Sequence, residues 1–359
     1  TTTTVLSDEA KEYKTSNYIK KEGLAGFDYI DWTVKINNNY FAITDAKITD
    51  KLPEGLTLEE GSIKLNGTDM AIDNTNGPLK YDSGTRTLTY EFGAGTTINI
   101  PQTLTYRTKV TDPEAFTSNT PKTYTNEAGL TGIGVPADTK VGVGVSVATS
   151  VIEKSGQGYN PSNQEITWRI IVNNNKIDMK GAVVTDSIPA GLEYVSDSFT
   201  VKDNDENNVT PIDGLTFDVP PAGANQRGLL KYNIPDYLTG NKTVTIEFKT
   251  KVLDNNLYAT NKTTNFTNEA VLNYTGGPES KSHATQPVKS EVISKRSLGY
   301  NYNTREIEWE VKINQNKMPL TNVVVTDIIP MGHKYVLGSS IIGNDPIVPS
   351  YDEASNTLI

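Results

Sequence analysis

Three segments of this 359-residue chain keep one register: a strand-like run carrying a tryptophan, then, at a fixed distance, a second run ending in Asp. They read YIDWTVKIN…AKITDKLPEGL, EITWRIIVN…AVVTDSIPAGL and EIEWEVKIN…NVVVTDIIPMG. Trp32, Trp168 and Trp309 are the only tryptophans, and each stands 18 positions before its Asp, namely Asp50, Asp186 and Asp327. The tryptophans are 136 and 141 residues apart. A period of that length is a domain rather than a solenoid repeat.

Alternation shows what each run must become. Side chains two apart on a strand share a face, so Ile30, Trp32, Val34 and Ile36 form an apolar face while Asp31, Thr33 and Lys35 take the other. Thr, Val, Ile and Tyr are abundant, turns are rich in Asn, Asp, Gly and Pro, and no segment sustains a 3.6-residue apolar period. The fold class expected is all-β, as tandem immunoglobulin-like Greek-key β-sandwiches. The copies are placed at residues 10–134, 145–283 and 286–359, the last holding about half a period. A Val/Gly connector at 134–150 and a Gly/Pro/Ser/Lys-rich linker, GGPESKSHATQPVKS at 276–290, are expected between them.

The same parity that buries the tryptophans aims charge inward. Ala46, Ile48 and Asp50 share a face, as do Ala182, Val184 and Asp186, and Val323, Val325 and Asp327. Before each tryptophan stands an Ile-x-Lys: Ile19 and Lys21, Ile152 and Lys154, Ile293 and Lys295. Lys20 lies beside Lys21 and is an alternative amine; parity with Ile19 favours Lys21. Downstream, YTNEAGL and FTNEAVL put Asn126 and Asn268 on a face with Tyr124, Ala128 and Leu130, and with Phe266, Ala270 and Leu272. Lys, Asp and Asn therefore recur in order, all facing the core.

Buried together, these three residue types have a specific chemistry open to them. Desolvation favours neutral, nucleophilic lysine and neutral aspartic acid. The acid can polarise an asparagine carboxamide and pass a proton to its nitrogen, so that the lysine amine expels ammonia and leaves an amide cross-link. The bland reading is a buried ion pair with an asparagine nearby, or an Asp that starts a tight turn before Pro. For the Asp alone the turn is the better reading; for the recurring triple the cross-link is.

The pattern of Lys154 in IEKSG, Trp168 in ITWRIIVN, Asp186 in VVTDSIPAGLEYV and Asn268 in FTNEAVL, repeated as Lys21, Trp32, Asp50 and Asn126, resembles the isopeptide domains of Gram-positive surface adhesins and pilins, in particular the collagen-adhesin (Cna-type) sandwich. The resemblance implies cross-links joining Lys21 to Asn126 and Lys154 to Asn268 across first and last strands, with Asp50 and Asp186 as catalysts. The third copy has Lys295 and Asp327 but no asparagine counterpart, so that site is expected to be incomplete and unreacted. It further implies the stalk of a cell-wall-anchored extracellular adhesin, with single-turnover self-cross-linking rather than enzymatic turnover. The alternatives are a module that binds a host matrix protein such as collagen or another cell-surface ligand, and a sortase-polymerised pilin.

Composition narrows the partners. A net charge of −10 and a pI near 4.9 argue against nucleic acid and against anionic membrane surfaces. The chain has no cysteine, so disulfides are excluded. No apolar run is long enough to span a membrane, and TTTTVLSDEAKEYK lacks the shape of a signal peptide. No cofactor and no metal site is expected: His283 and His333 are isolated, one assigned to a linker and one to a turn. The DNDENN run at 203–208 lacks the glycine and closing glutamate of a calcium loop and reads as a hairpin turn. A monomer is expected.

Overall fold

The structure is a computed structural model that describes residues 18–219, 226–253 and 255–359; residues 10–17, the expected start of the first copy, lie outside them. In the first copy the strands are β1 (Ile19–Ala25), β2 (Tyr29–Ile36), β3 (Ile43–Lys51), β4 (Leu56–Leu65), β5 (Thr68–Asp69), β6 (Leu79–Asp82), β7 (Thr87–Glu91), β8 (Thr97–Ile98), β9 (Gln102–Val110), β10 (Lys122–Ile133) and β11 (Lys140–Val147). They form two sheets, β1-β2-β9-β4-β5 and β11-β10-β3-β7-β6, with β8 paired to β3. The inner faces of both sheets close on one core that includes Ile30, Trp32, Val34, Ile48, Leu88, Leu104 and Leu130. β2 shows why: its burial alternates strictly, and only its Ile30, Trp32, Val34 and Ile36 face is fully covered.

The second copy repeats the plan with β12 (Ile152–Asn160), β13 (Glu165–Val172), β14 (Lys180–Pro189), β15 (Leu192–Tyr194), β16 (Thr200–Lys202), β17 (Leu215–Asp218), β18 (Gln226–Asn233), β19 (Val244–Val252), β20 (Lys262–Thr275) and β21 (Ser280–Ser290). One sheet runs β12-β13-β19-β15 with β16 on β19; the other runs β17-β18-β14-β20-β21. In the third copy β22 (Ile293–Asn301) pairs with β23 (Glu306–Ile313). The molecule is an all-β chain of immunoglobulin-like sandwiches.

Two stretches depart from the sequence reading. The expected connector at 134–150 contains β11, paired with β10 from Lys122↔Val147 to Gly129↔Lys140. The expected linker at 276–290 contains β21, paired with β20, and His283 sits in this strand rather than in a linker. Glycine, serine and proline suggested linkers, but valine stands at every second position from Val141 to Val147 and the last two are buried. That period of two is the stronger signal. The DNDENN run forms a closed turn, in which Asp203 accepts from the backbone of Asp205 and Asn207, both at 2.9 Å.

Each tryptophan strand ends in the same loop. Asn37, Asn173 and Asn314 take positive φ values of 58°, 64° and 57°, a conformation asparagine tolerates better than most residues. The side chain of each then bonds both backbone groups of the residue four positions on: Asn37 with Phe41, Asn173 with Ile177 and Asn314 with Met318. This fixes the direction in which the chain turns toward the Asp strand.

Of the described residues, 18–159, 164–219, 226–253 and 265–287, most of the first two sandwiches, lie in one compact unit, and residues 160–163, 255–264 and 288–359, which include the third copy, belong to a second. Within the first unit, Asn119 Oδ1 accepts from the amides of Val151 (2.8 Å) and Ile152 (3.1 Å) while its Nδ2 donates to Ile152 O at 2.7 Å. Asn175 Oδ1 accepts from Ser150 N at 2.9 Å and its Nδ2 donates to Phe116 O at 2.7 Å. Within the second unit, Asn261 makes the same three bonds to Val292 and Ile293, and Asn316 the same two to Glu291 and Tyr258.

Candidate cross-linking site

β1 carries Lys21 on one sheet, while β3 and β10 carry Asp50 and Asn126 on the other, so the lysine reaches across the core. Its neighbour Lys20 is exposed and pairs in register with Lys35. Ala128 stands directly opposite Asp50 on β10, and Asn126 is two residues along on the same face. A small residue opposite the carboxylate leaves room for the diagonal asparagine. The second sandwich repeats the register, with Asp186 opposite Ala270 and Asn268 two residues along.

Both triads are sealed. Lys21, Asp50 and Asn126 are 6%, 0% and 0% exposed; Lys154, Asp186 and Asn268 are 5%, 0% and 1%. Lys21 Nζ donates to Asp50 Oδ2, and Lys154 Nζ to Asp186 Oδ2. Burial pushes both lysines below the ordinary lysine value, against the pull of the facing carboxylate. Burial also raises both aspartates above the usual carboxylate range, against the pull of the facing ammonium. Both shifts work against the ion pair and toward a neutral amine beside a neutral acid.

Orphaned atoms surround these pairs. Asp50 Oδ1, Asn126 Oδ1, Asp186 Oδ1 and both side-chain polar atoms of Asn268 are buried without a hydrogen bond among the described residues. Each such atom costs about 1–3 kcal/mol, so a native core keeps them for a reason.

The walls are aromatic. Lys21 Nζ lies 5.1 Å from the ring centre of Trp32, and Lys154 Nζ lies 5.2 Å from that of Trp168. Each indole N–H donates at 2.9 Å to a buried threonine on the neighbouring strand, Thr108 or Thr250. The tryptophans, which strand parity buries, thus also form one side of the lysine's pocket.

Sequence reasoning missed the residue opposite each tryptophan. Tyr106 pairs with Trp32 and Phe248 with Trp168. The Tyr106 hydroxyl accepts from Lys21 Nζ and from Asn126 Nδ2, both at 2.9 Å, and donates to Asp50 Oδ2 at 2.6 Å. Phe248 puts an apolar ring 4.9 Å from Lys154 Nζ instead. The signal was present in LTYRTKV and TIEFKTKV, where Leu104, Tyr106 and Thr108 share a face, as do Ile246, Phe248 and Thr250.

In the third copy, Lys295 Nζ lies 2.6 Å from Asp327 Oδ1 and 4.6 Å from the ring centre of Trp309. The same lysine, acid and tryptophan therefore meet, but the two charged side chains are 33% and 22% exposed. Among the described residues no group of three or more His, Cys, Asp or Glu is placed to hold a metal ion, and no helix is long and apolar enough to cross a membrane.

This thrice-repeated framework has a counterpart among known families. The collagen binding domain family model matches residues 16–139, 149–280 and 291–347. The chain belongs to the collagen binding domain family. Solved structures to which the chain is similar include the collagen-binding domain of a Staphylococcus aureus adhesin, at 16% identity over 39% of this chain and 98% of that one, with a TM-score of 0.30. The Staphylococcus aureus collagen adhesin is similar at 12% identity over 84% of this chain and 97% of that one, with a TM-score of 0.29. The collagen binding subdomain of an Enterococcus faecalis surface protein is similar at 16% identity over 39% and 97%, with a TM-score of 0.29. No curated protein sequence matches significantly.

Proposed function

We propose that this chain is a load-bearing stretch of an extracellular, wall-anchored bacterial adhesin, in which each complete sandwich welds its opening strand to its closing strand. Lys21 would join Asn126 and Lys154 would join Asn268, with Asp50 and Asp186 as the acids. The observation that carries this reading is the same in both copies: a lysine nitrogen sealed against an acid, with an asparagine carrying an orphaned carbonyl oxygen on the acid's own sheet. A proton on the free oxygen of the acid, shared with the asparagine carbonyl, would satisfy two orphaned atoms and polarise the carbonyl together. Attack by the neutral amine then forms the Nζ–Cγ bond, breaks the Cγ–Nδ2 bond and releases ammonia. One lysine proton ends on the departing nitrogen and the acid is restored. The event happens once per site, so it is not turnover.

Intact mass spectrometry tests this. The folded chain is expected to weigh two ammonia molecules less than its sequence, and Asp50→Ala and Asp186→Ala are each expected to restore one. A folded chain of unmodified mass overturns the proposal.

A second reading, as a module that binds a host matrix protein, is favoured by the match to the collagen binding family along most of the chain. It is compatible with the first, and the chain is taken to act as a monomer in either. Saturable binding of the first two sandwiches to immobilised collagen is expected under it. Binding no greater than to albumin rejects it while leaving the cross-link untouched.

A further inference from the structure

We propose that Tyr106 is a catalytic proton carrier of the first sandwich, handing to the departing nitrogen of Asn126 the proton that Lys21 gives up. The inference rests on the cross-linking reading above and assigns to one site a component that the other lacks.

Three hydrogen bonds converge on the Tyr106 oxygen. It accepts from the attacking nitrogen, Lys21 Nζ, and from the leaving nitrogen, Asn126 Nδ2, each at 2.9 Å, and it donates to Asp50 Oδ2 at 2.6 Å. The nucleophile, the acid and the leaving group are thus wired through a single hydroxyl. Tyr106 is 2% exposed. A departing amide nitrogen cannot leave as a free anion, so in a sealed core a side chain must bring it a proton.

The sequence of transfers balances. The neutral amine of Lys21 adds to Asn126 Cγ as Asp50 gives its Oδ1 proton to the carbonyl oxygen, and the cationic nitrogen so formed gives one proton to Oδ2 of the resulting carboxylate. As the Cγ–Nδ2 bond breaks and the proton on the carbonyl oxygen returns to Asp50 Oδ1, Tyr106 gives its hydroxyl proton to Nδ2 and receives the proton held on Asp50 Oδ2 through the bond it already makes there. Nδ2 leaves as ammonia, Nζ keeps one hydrogen as an amide, and both Tyr106 and the acid that polarised the carbonyl end as they began. Burial, reinforced by the charge of Asp50, holds the phenol well above its ordinary value of 10, so the hydroxyl is a carrier that takes up a proton as it releases one rather than a source of phenolate.

The second sandwich supplies the control. Phe248 occupies the matching register opposite Trp168, which shows that this framework accepts phenylalanine there, and Asn268 Nδ2 has no hydrogen bond among the described residues. Its proton must travel from Asp186 to the leaving nitrogen without a carrier.

The test follows both bonds in one tube. Unreacted chain solubilised from inclusion bodies in denaturant is diluted into native buffer, quenched at intervals and digested. Ammonia loss is then read by peptide mass at Lys21–Asn126 and Lys154–Asn268, with the second site as internal clock. Tyr106→Phe is expected to slow the first bond about tenfold or more, to leave the second unchanged, and to reduce the solvent deuterium effect at the first bond to that of the second. Phe248→Tyr is expected to accelerate the second bond and raise its isotope effect. A first-bond rate within twofold of wild type in Tyr106→Phe overturns the proposal. So does a slower rate with an unchanged isotope effect, which would make Tyr106 a positioning residue. Absence of ammonia loss at both sites of the wild-type chain would instead reject the cross-linking reading, and this inference with it.

Discussion

The first and second sandwiches share lysine, aspartate, asparagine, tryptophan and threonine at matching positions, and differ where Tyr106 faces Phe248. In the first, one hydroxyl ties three polar side chains together. In the second, the asparagine amide has no hydrogen bond among the described residues. Orphaned buried groups are costly, so under the proposed cross-link the expulsion of Nδ2 would relieve the second site more than the first. Under that proposal the first site is better wired for proton transfer, while the second would shed more unsatisfied polar atoms. One framework thus tolerates two arrangements of the same buried triad, because the acid and the amine are fixed by strands and only the wall beside them varies.

The largest way to break the comparison is to remove the acceptors. Lys21 and Asn126 are 105 positions apart, and Lys154 and Asn268 are 114 apart. Closing a loop of about 100 residues is worth about 4.7 kcal/mol in the chain-entropy treatment. Asn126→Ala and Asn268→Ala are each expected to lower the melting point of their own sandwich, on the order of 15 °C by calorimetry. A drop confined to one sandwich would mean that only that one is stapled.

A smaller test concerns what the sites share. Thr108→Val and Thr250→Val each leave a buried indole N–H without its acceptor, at a cost of about 1–3 kcal/mol. In the acceptor-free variants, chemical denaturation should show similar losses in the two sandwiches. Unequal losses would show that the tryptophan walls are not equivalent.

The finest test uses pH. The ion pair and the neutral pair hold the same number of protons, so the reactive fraction is constant through neutrality. Acid adds a proton and leaves lysine charged with the acid neutral; base removes one and leaves lysine neutral with the acid charged. Neither form reacts. Because burial raises the aspartates and lowers the lysines, the acid limb of each bond's rate should lie above the ordinary aspartate value of 3.8 and the alkaline limb below the ordinary lysine value of 10.5. The rate should fall about tenfold per pH unit beyond each limb. A rate that keeps rising through pH 10 would show that the lysine is not desolvated before it reacts.

Much of this site was legible before any coordinates. Strand parity put Lys21, Asp50 and Asn126 inward because each shares a face with residues that have nowhere else to go: Ile19, Ile48 and Tyr124. Parity could not say which sheet each strand joins, and so could not show that Lys21 reaches its partners from the opposite layer. Tyr106 was equally inward by alternation, but tyrosine in a β-rich core is ordinary, and only the three bonds at its oxygen distinguish it from filler. The edge strands β11 and β21 were misread because glycine, serine and proline outweighed the alternation of valine in the first. An outermost strand has one neighbour to satisfy, so its sequence is less constrained.

The asparagine contacts at 119 and 175 have a consequence for how such chains diversify. Asn119 and Asn175 grip only main-chain atoms, and the positions held by Asn175 carry unlike side chains in the two instances, Ser150 against Glu291 and Phe116 against Tyr258, while those held by Asn119 keep valine and isoleucine. A coupling carried mostly by main-chain atoms demands little matched surface when a copy is duplicated, deleted or exchanged. The number of copies can therefore change with few compensating substitutions at the new boundary.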